Sequence, residues 1–133
     1  MEQQQNKRVL IVEDERDVIE IYKIDLEQEG FIVDSSFTGR GALDKIKDFI
    51  KSPELQPALI ILDLLLPDIS GIEVLKKLKG DPKTADIPVL ILTNYSSDKI
   101  RELVESMKNT EYLLKINISP LELVQVIRKK LSS

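Results

Sequence analysis

Five short aliphatic runs, each followed by an amphipathic stretch, set the strongest limit on what this chain can fold into. The runs fall at 9–12, 32–35, 58–62, 89–92 and 112–114. Between them, apolar residues recur at helical spacing. Val18, Ile21, Tyr22 and Leu26 mark a helix of about 15–29, closed by Gly30 as a left-handed stop. Leu43, Ile46, Phe49 and Ile50 share a second helical face, ended by Ser52-Pro53. Gly71 precedes Ile72, Leu75 and Leu78, and Gly80 with Asp81-Pro82 closes that short helix. Ile100, Leu103, Val104 and Met107 mark a fourth helix. Ser119 as N-cap and Pro120 in the first turn open a fifth, carried by Leu121, Val124, Ile127 and Leu131. This strand-helix alternation implies an α/β domain, with a parallel sheet covered by helices on both faces.

At 133 residues, 42% of them hydrophobic, one compact domain is expected over 1–133, with its core at about 7–131. Neither Cys nor His occurs. That excludes disulfides, thiolate chemistry, His-ligated zinc and any His-dependent triad supplied by this chain. The formal net charge of -4 argues against a general nucleic-acid surface. Arg128, Lys129 and Lys130 read as the solvated basic end of the last helix. Residues 1–6 form a polar start without a signal-peptide core, and no apolar stretch nears the roughly 20 residues that cross a bilayer. A cytoplasmic protein without membrane contact is expected.

Four of the five runs end in a charged or reactive group: Glu13 and Asp14, Asp63, Thr93 and Lys115. In a flavodoxin-like doubly wound sheet of order 2-1-3-4-5 with five helices, those four strands are contiguous, and ligands collect outside their carboxyl ends. Strand two, without such a group, falls at the edge. Glu13, Asp14 and Asp63 repel one another when crowded, so they need a countercharge, and a divalent cation supplies it. Mg²⁺ takes oxygen ligands and commonly pairs one or two carboxylates with a phosphoryl group. Asp14 and Asp63 are the expected direct ligands, with Glu13 direct or through water and the Leu65 carbonyl completing the protein's share. Asp63 then suits the role of nucleophile forming an aspartyl phosphate. Lys115 would neutralise phosphoryl oxygens, and Thr93 would donate a hydrogen bond to them.

From about Lys7 to Leu131 the chain resembles a response-regulator receiver domain of two-component signalling. The resemblance rests on Val-Leu-Ile-Val-Glu-Asp-Glu at 9–15, Leu-Asp-Leu-Leu-Leu-Pro-Asp-Ile-Ser-Gly at 62–71, Ile-Pro-Val-Leu-Ile-Leu-Thr at 87–93 and Tyr-Leu-Leu-Lys at 112–115. It implies that Asp63 is the phosphoacceptor, Glu13 and Asp14 the metal-binding acidic pair, Thr93 the switch hydroxyl, Tyr112 the switch aromatic and Lys115 the phosphate-contacting lysine. It implies further that a histidine kinase or phosphotransfer protein donates the phosphoryl group. A downstream protein would read the face made by helix four, strand five and helix five, where Arg101, Glu102, Glu105, Arg128 and Lys129 are the expected surface charges. Such a protein is a monomer or a phosphorylation-dependent dimer, and turns over no external substrate.

Two positions depart from the family pattern. Ile116 follows Lys115 where the family usually has Pro, often with a cis bond. A cis bond here would cost about 3–4 kcal/mol, so a trans loop is expected unless surrounding contacts hold the cis form. Asn94, after the switch Thr, is larger than the usual residue and could obstruct attacking water. Four alternatives compete. A degenerate receiver would act by phosphate-independent protein contact, and a longer regulator would contain this chain as its receiver part. A nucleotide or flavin carrier would need Gly, Ser or Thr where 13–17 reads Glu-Asp-Glu-Arg-Asp. A metal-dependent phosphohydrolase would need a second carboxylate within a few residues of Asp63. Because the chain ends two residues after Leu131, its message is expected to pass through protein contact.

Overall fold

The computed structural model describes residues 6–131, so the reading of residues 1–5 lies outside the described residues. The elements run β1 (Arg8–Val12), α1 (Arg16–Gln28), β2 (Ile32–Ser36), α2 (Gly39–Lys51), β3 (Leu59–Leu62), α3 (Gly71–Gly80), β4 (Val89–Thr93), α4 (Asp98–Glu105), β5 (Thr110–Leu114) and α5 (Pro120–Leu131). Two single 3-10 turns, Pro53–Leu55 and Lys115–Asn117, interrupt the connections. All pairings are parallel, and the strand order is β2-β1-β3-β4-β5. This is the doubly wound architecture expected from the alternation of runs.

The two-residue period of a strand sorts each run between two cores. Val9, Ile11, Leu59, Ile61, Leu90 and Leu92 face one side, where Ile19, Tyr22 and Leu26 of α1 and Leu123, Val124 and Ile127 of α5 cover them. Leu10, Val12, Ile60, Leu62, Val89 and Ile91 face the other side, beneath α2, α3 and α4. In α1 the buried stripe is Ile19, Tyr22 and Leu26, whereas Ile21, expected on that face, is 50% exposed. Spacings of three and four keep the first three in line, and Ile21 lies about 100° round from Tyr22.

The helix ends follow local chemistry. Gly30, at φ +90°, closes α1: its N–H donates to the Glu27 carbonyl, and the Phe31 N–H donates to the Leu26 carbonyl. That pair of bonds is the Schellman arrangement. At α5, Ser119 Oγ accepts the Glu122 N–H at 3.2 Å, and Glu122 Oε1 accepts the Ser119 N–H at 3.1 Å. This reciprocal capping box adds Glu122 to the expected Ser119 cap. Helix α4 stops at Glu105, so Met107 packs on the core from the turn beyond it.

Register aligns the carboxyl ends. Val12 pairs with Leu62, Leu62 with Ile91, and Thr93 with Leu114, so Glu13 and Asp63 emerge on one row, with Thr93 one residue and Lys115 two residues beyond it. Gly71 sits tightly behind them. A Cβ there would lie 2.2 Å from the Asp63 carbonyl oxygen and 2.7 Å from Leu64 Cα, both backbone atoms that cannot swing aside. Gly71→Ala is therefore expected to lower stability by about 1–3 kcal/mol, read from the shift of the urea unfolding midpoint.

Candidate functional site

Continuing the strand alternation by one step gives Glu13, Asp63 and Lys115 the same side as Val9, Ile11, Leu59, Ile61 and Leu113, the α1/α5 side. The side chains do meet. Lys115 Nζ donates to Glu13 Oε1, and to Asp63 Oδ2 at 2.6 Å. The other Asp63 oxygen, Oδ1, accepts the Thr93 hydroxyl at 2.7 Å and the Leu65 backbone N–H at 3.0 Å. Glu13 Oε2 accepts the Glu15 N–H at 3.0 Å. Asp63, Glu13 and Thr93 are buried, whereas Asp14 stands exposed at the mouth. Carboxylate oxygens of Glu13, Asp14 and Asp63 all lie within 4.8 Å of one another, a donor set that fits a divalent cation.

A chain of contacts leads away from Asp63. Thr93 Oγ1, while donating to Asp63, accepts the Tyr95 N–H at 3.2 Å. The Tyr95 carbonyl accepts the hydroxyl of Tyr112, whose ring is buried and lies 5.1 Å below the Arg101 guanidinium. Burial raises the Tyr112 phenol above its ordinary pKa, and Arg101 opposes the shift.

A family model described as the response regulator receiver domain matches residues 9–128. The chain belongs to the receiver family. The DNA-binding dual master transcriptional regulator RpaA of Synechocystis is 42% identical over 86 residues, covering 65% of this chain and 33% of that protein. This chain spans roughly a third of the length of the curated relatives it matches first. Among solved structures, a CheY-like receiver domain protein from Methanospirillum hungatei superposes with a TM-score of 0.81 at 28% identity, covering 95% of this chain and 94% of that one. The Mn²⁺-bound form of response regulator Rcp1 gives a TM-score of 0.81 at 27% identity, covering 96% of each chain.

This receiver's pocket is short of positive charge. Three carboxylates against one ammonium leave a formal -2, half of it buried on Glu13 and Asp63 against Lys115 and half on the exposed Asp14. Burial pushes the Glu13 carboxyl up to about 7, despite the Lys115 and Glu15 bonds that pull it down. Burial alone would lower the Lys115 ammonium, but its bonds to Asp63 and Glu13 outweigh that and raise it. In both groups the protonated form is favoured, by burial at Glu13 and by the carboxylate bonds at Lys115.

The expected site residues thus come together, with two refinements. Lys115, expected to face phosphoryl oxygens, here bridges two carboxylates. Strand two, which ends in no charged group, supplies the Ser36 carbonyl that accepts the Glu13 N–H at 3.0 Å. The Lys115–Ile116 bond is trans, since no cis peptide occurs among the described residues, and Ile116 is 77% exposed. Asn94 is exposed beside Thr93. Sequence reading passed over Tyr95, whose contribution is a backbone carbonyl and leaves no side-chain signature.

Glu13's raised pKa fixes the sign of a pH effect. In metal-free buffer the native state keeps this proton between about pH 4.5 and 7 and the unfolded chain does not, so Glu13 stabilises in acid and loses that contribution as pH rises through about 7. Chemical denaturation from pH 5 to 8 should show the native protein losing stability relative to Glu13→Gln, most steeply between the unfolded value of 4.5 and about 7 and levelling off above that. Tyr112→Phe keeps the buried ring but strands the Tyr95 carbonyl, and should lower the unfolding free energy by about 1 kcal/mol in the same assay.

Proposed function

We propose that this receiver accepts a phosphoryl group on Asp63 with Mg²⁺ bound, and that the modified pocket changes a protein-binding surface in two-component signalling. The observation that carries the reading is the buried Asp63 carboxylate, held by Lys115, Thr93 and the Leu65 N–H within reach of two further carboxylates. Asp14 and Asp63 would hold the metal, together with Glu13 directly or through water and with the Leu65 carbonyl. A similar receiver solved with Mn²⁺ supports a divalent site of this kind. When bound, Mg²⁺ supplies charge neutralisation for the carboxylates and for the incoming phosphoryl oxygens.

An Asp63 oxygen attacks the donor's phosphorus as the bond from phosphorus to the donor's nitrogen or acyl oxygen breaks, and the leaving group departs with that electron pair. Lys115 meets one phosphoryl oxygen with its ammonium. Thr93, released from Asp63 Oδ1, donates to another. The donor is a histidine kinase, a phosphotransfer protein or a small phosphodonor, because this chain has no His. Water later cleaves the acyl phosphate, so no external substrate is turned over.

The phosphoryl group adds about -1.5 to -2 charges and draws on the Thr93 hydroxyl, which the Tyr95 backbone joins to Tyr112 and Arg101. Thr93 and Tyr112 are thus the switch pair. Arg101 also borders a groove of about 380 Å³ on the α4–β5–α5 face, with Leu113, Leu114, Gln125 and Lys129. That face is the proposed docking surface for a downstream protein, or for a second copy after phosphorylation. The relatives' greater length also fits a receiver working within a larger regulator.

Incubation with Mg²⁺ and acetyl phosphate should add one phosphoryl mass to the protein and none to Asp63→Ala, as read by intact-mass spectrometry. Equal incorporation in both would remove Asp63 as acceptor. A protein that stays unmodified yet binds its partner would be a phosphate-independent interaction module.

A further inference from the structure

The loop that follows Asp63 carries Leu65, whose N–H holds Asp63 Oδ1, yet the Leu65 side chain is 53% exposed. Core packing reaches this loop through the buried Leu64 and through Leu66 and Ile69, packed against the core, and not through Leu65. The loop's far half is held from another part of the chain. Asp68 Oδ1 accepts the Gly39 N–H at 2.8 Å, and Asp68 Oδ2 accepts the Arg40 N–H at 2.9 Å. These donors belong to the first turn of α2, where backbone N–H groups have no partner inside the helix. Thr38 Oγ1 takes the next one, Gly41 N–H, at 3.0 Å. The start of α2 is thus capped twice, once by its own residue and once by a carboxylate 28–29 positions away.

The surfaces are shaped for this contact. A Cβ on Gly39 would lie 2.3 Å from Ile69 Cγ1, so the loop rests directly on glycine. Helix α2 is a fixed support, with Ala42, Ile46 and Phe49 buried in the core. Near Asp63 the loop has one further backbone tie, from the Gly71 N–H to the Leu64 carbonyl at 3.0 Å. The Arg40 and Gly39 N–H groups hold the Asp68 carboxyl below its ordinary range, Arg40 contributing most, so this clamp stays ionised across neutral pH.

We propose that Asp68 is a positioning residue: by clamping the loop after Asp63 to the start of α2, it sets where the Leu65 backbone meets the acceptor and its cation. The link to the cation rests on the reading of the Asp63 pocket given above. Asp68 acts on Leu65 from three positions away, through the backbone of Leu66 and Pro67. The Leu65 amide is the nearest reporter.

Two variants separate positioning from simple helix capping. Asp68→Ala and Thr38→Ala both strip acceptors from the start of α2, but only the first frees the loop. In metal-free protein, below the unfolding range of every variant, the Leu65 amide should exchange about tenfold faster in Asp68→Ala than in Thr38→Ala, followed by NMR. By calorimetry, Mg²⁺ affinity should fall about tenfold in Asp68→Ala and stay near the native value in Thr38→Ala. Asp68→Asn, which keeps one acceptor oxygen, should lie between. Unchanged Leu65 exchange, or faster exchange with unaltered Mg²⁺ affinity, overturns the proposal. If the unaltered protein takes up no Mg²⁺, the reading of the metal site fails instead, and the clamp is decided by Leu65 exchange alone.

Discussion

One ammonium shared by two buried carboxylates is the interaction on which the rest of the site depends. Lys115 joins the edge strand β5 to β1 and β3 through Glu13 and Asp63. Without it, two carboxylates would face each other out of water, and losing one partner of a buried pair typically costs about 3–5 kcal/mol. The parallel sheet makes this crowding unavoidable. The registers bring the strands' carboxyl ends within two residues of one level, and the two-residue alternation turns Glu13, Asp63 and Lys115 to the same side. The resulting pocket is stable with a lysine in it and still short of positive charge.

From that pocket, polar contacts run through Thr93 and the Tyr95 backbone to the buried Tyr112 and out to Arg101. Each link is a hydrogen bond or a ring contact, so a change in the Asp63 oxygens has a continuous physical route to the α4–β5–α5 face. Continuity alone is not coupling. Coupling requires that both ends bias the same element, and Tyr112 is the element proposed for that role. On the opposite flank, Asp68 ties the loop after Asp63 to α2. One side of the pocket is thus fastened to a helix start, and the other leads to the surface.

Much of this was legible in the residues. Aliphatic runs and helical spacing give five strands and five helices because both periods arise from backbone geometry. The charged residues at strand ends were visible for the same reason. Ile21 was misplaced because neighbouring isoleucines make two α1 stripes equally apolar by count, and only packing against the sheet chooses Ile19. The longer β5 escaped notice because Thr110 and Glu111 lie on an edge strand, where polar residues are tolerated. Contacts set by tertiary approach left no local trace: the Lys115 bridge to Glu13 spans 102 positions, and the Asp68 clamp joins residues 28–29 apart. The Tyr95 carbonyl is common to every residue type, so no sequence pattern announces it.

On the proposed reading of the pocket, Lys115 and a divalent cation answer the same excess of negative charge. Calorimetric titration of Mg²⁺ into Lys115→Met, beside the unaltered protein at pH 8 and low ionic strength, tests it most directly. Removing the ammonium should leave Glu13 and Asp63 oxygens freer for the cation, and Mg²⁺ should bind several-fold tighter even as phosphoryl uptake from acetyl phosphate falls. Weaker or unchanged Mg²⁺ binding in the folded variant would contradict the account.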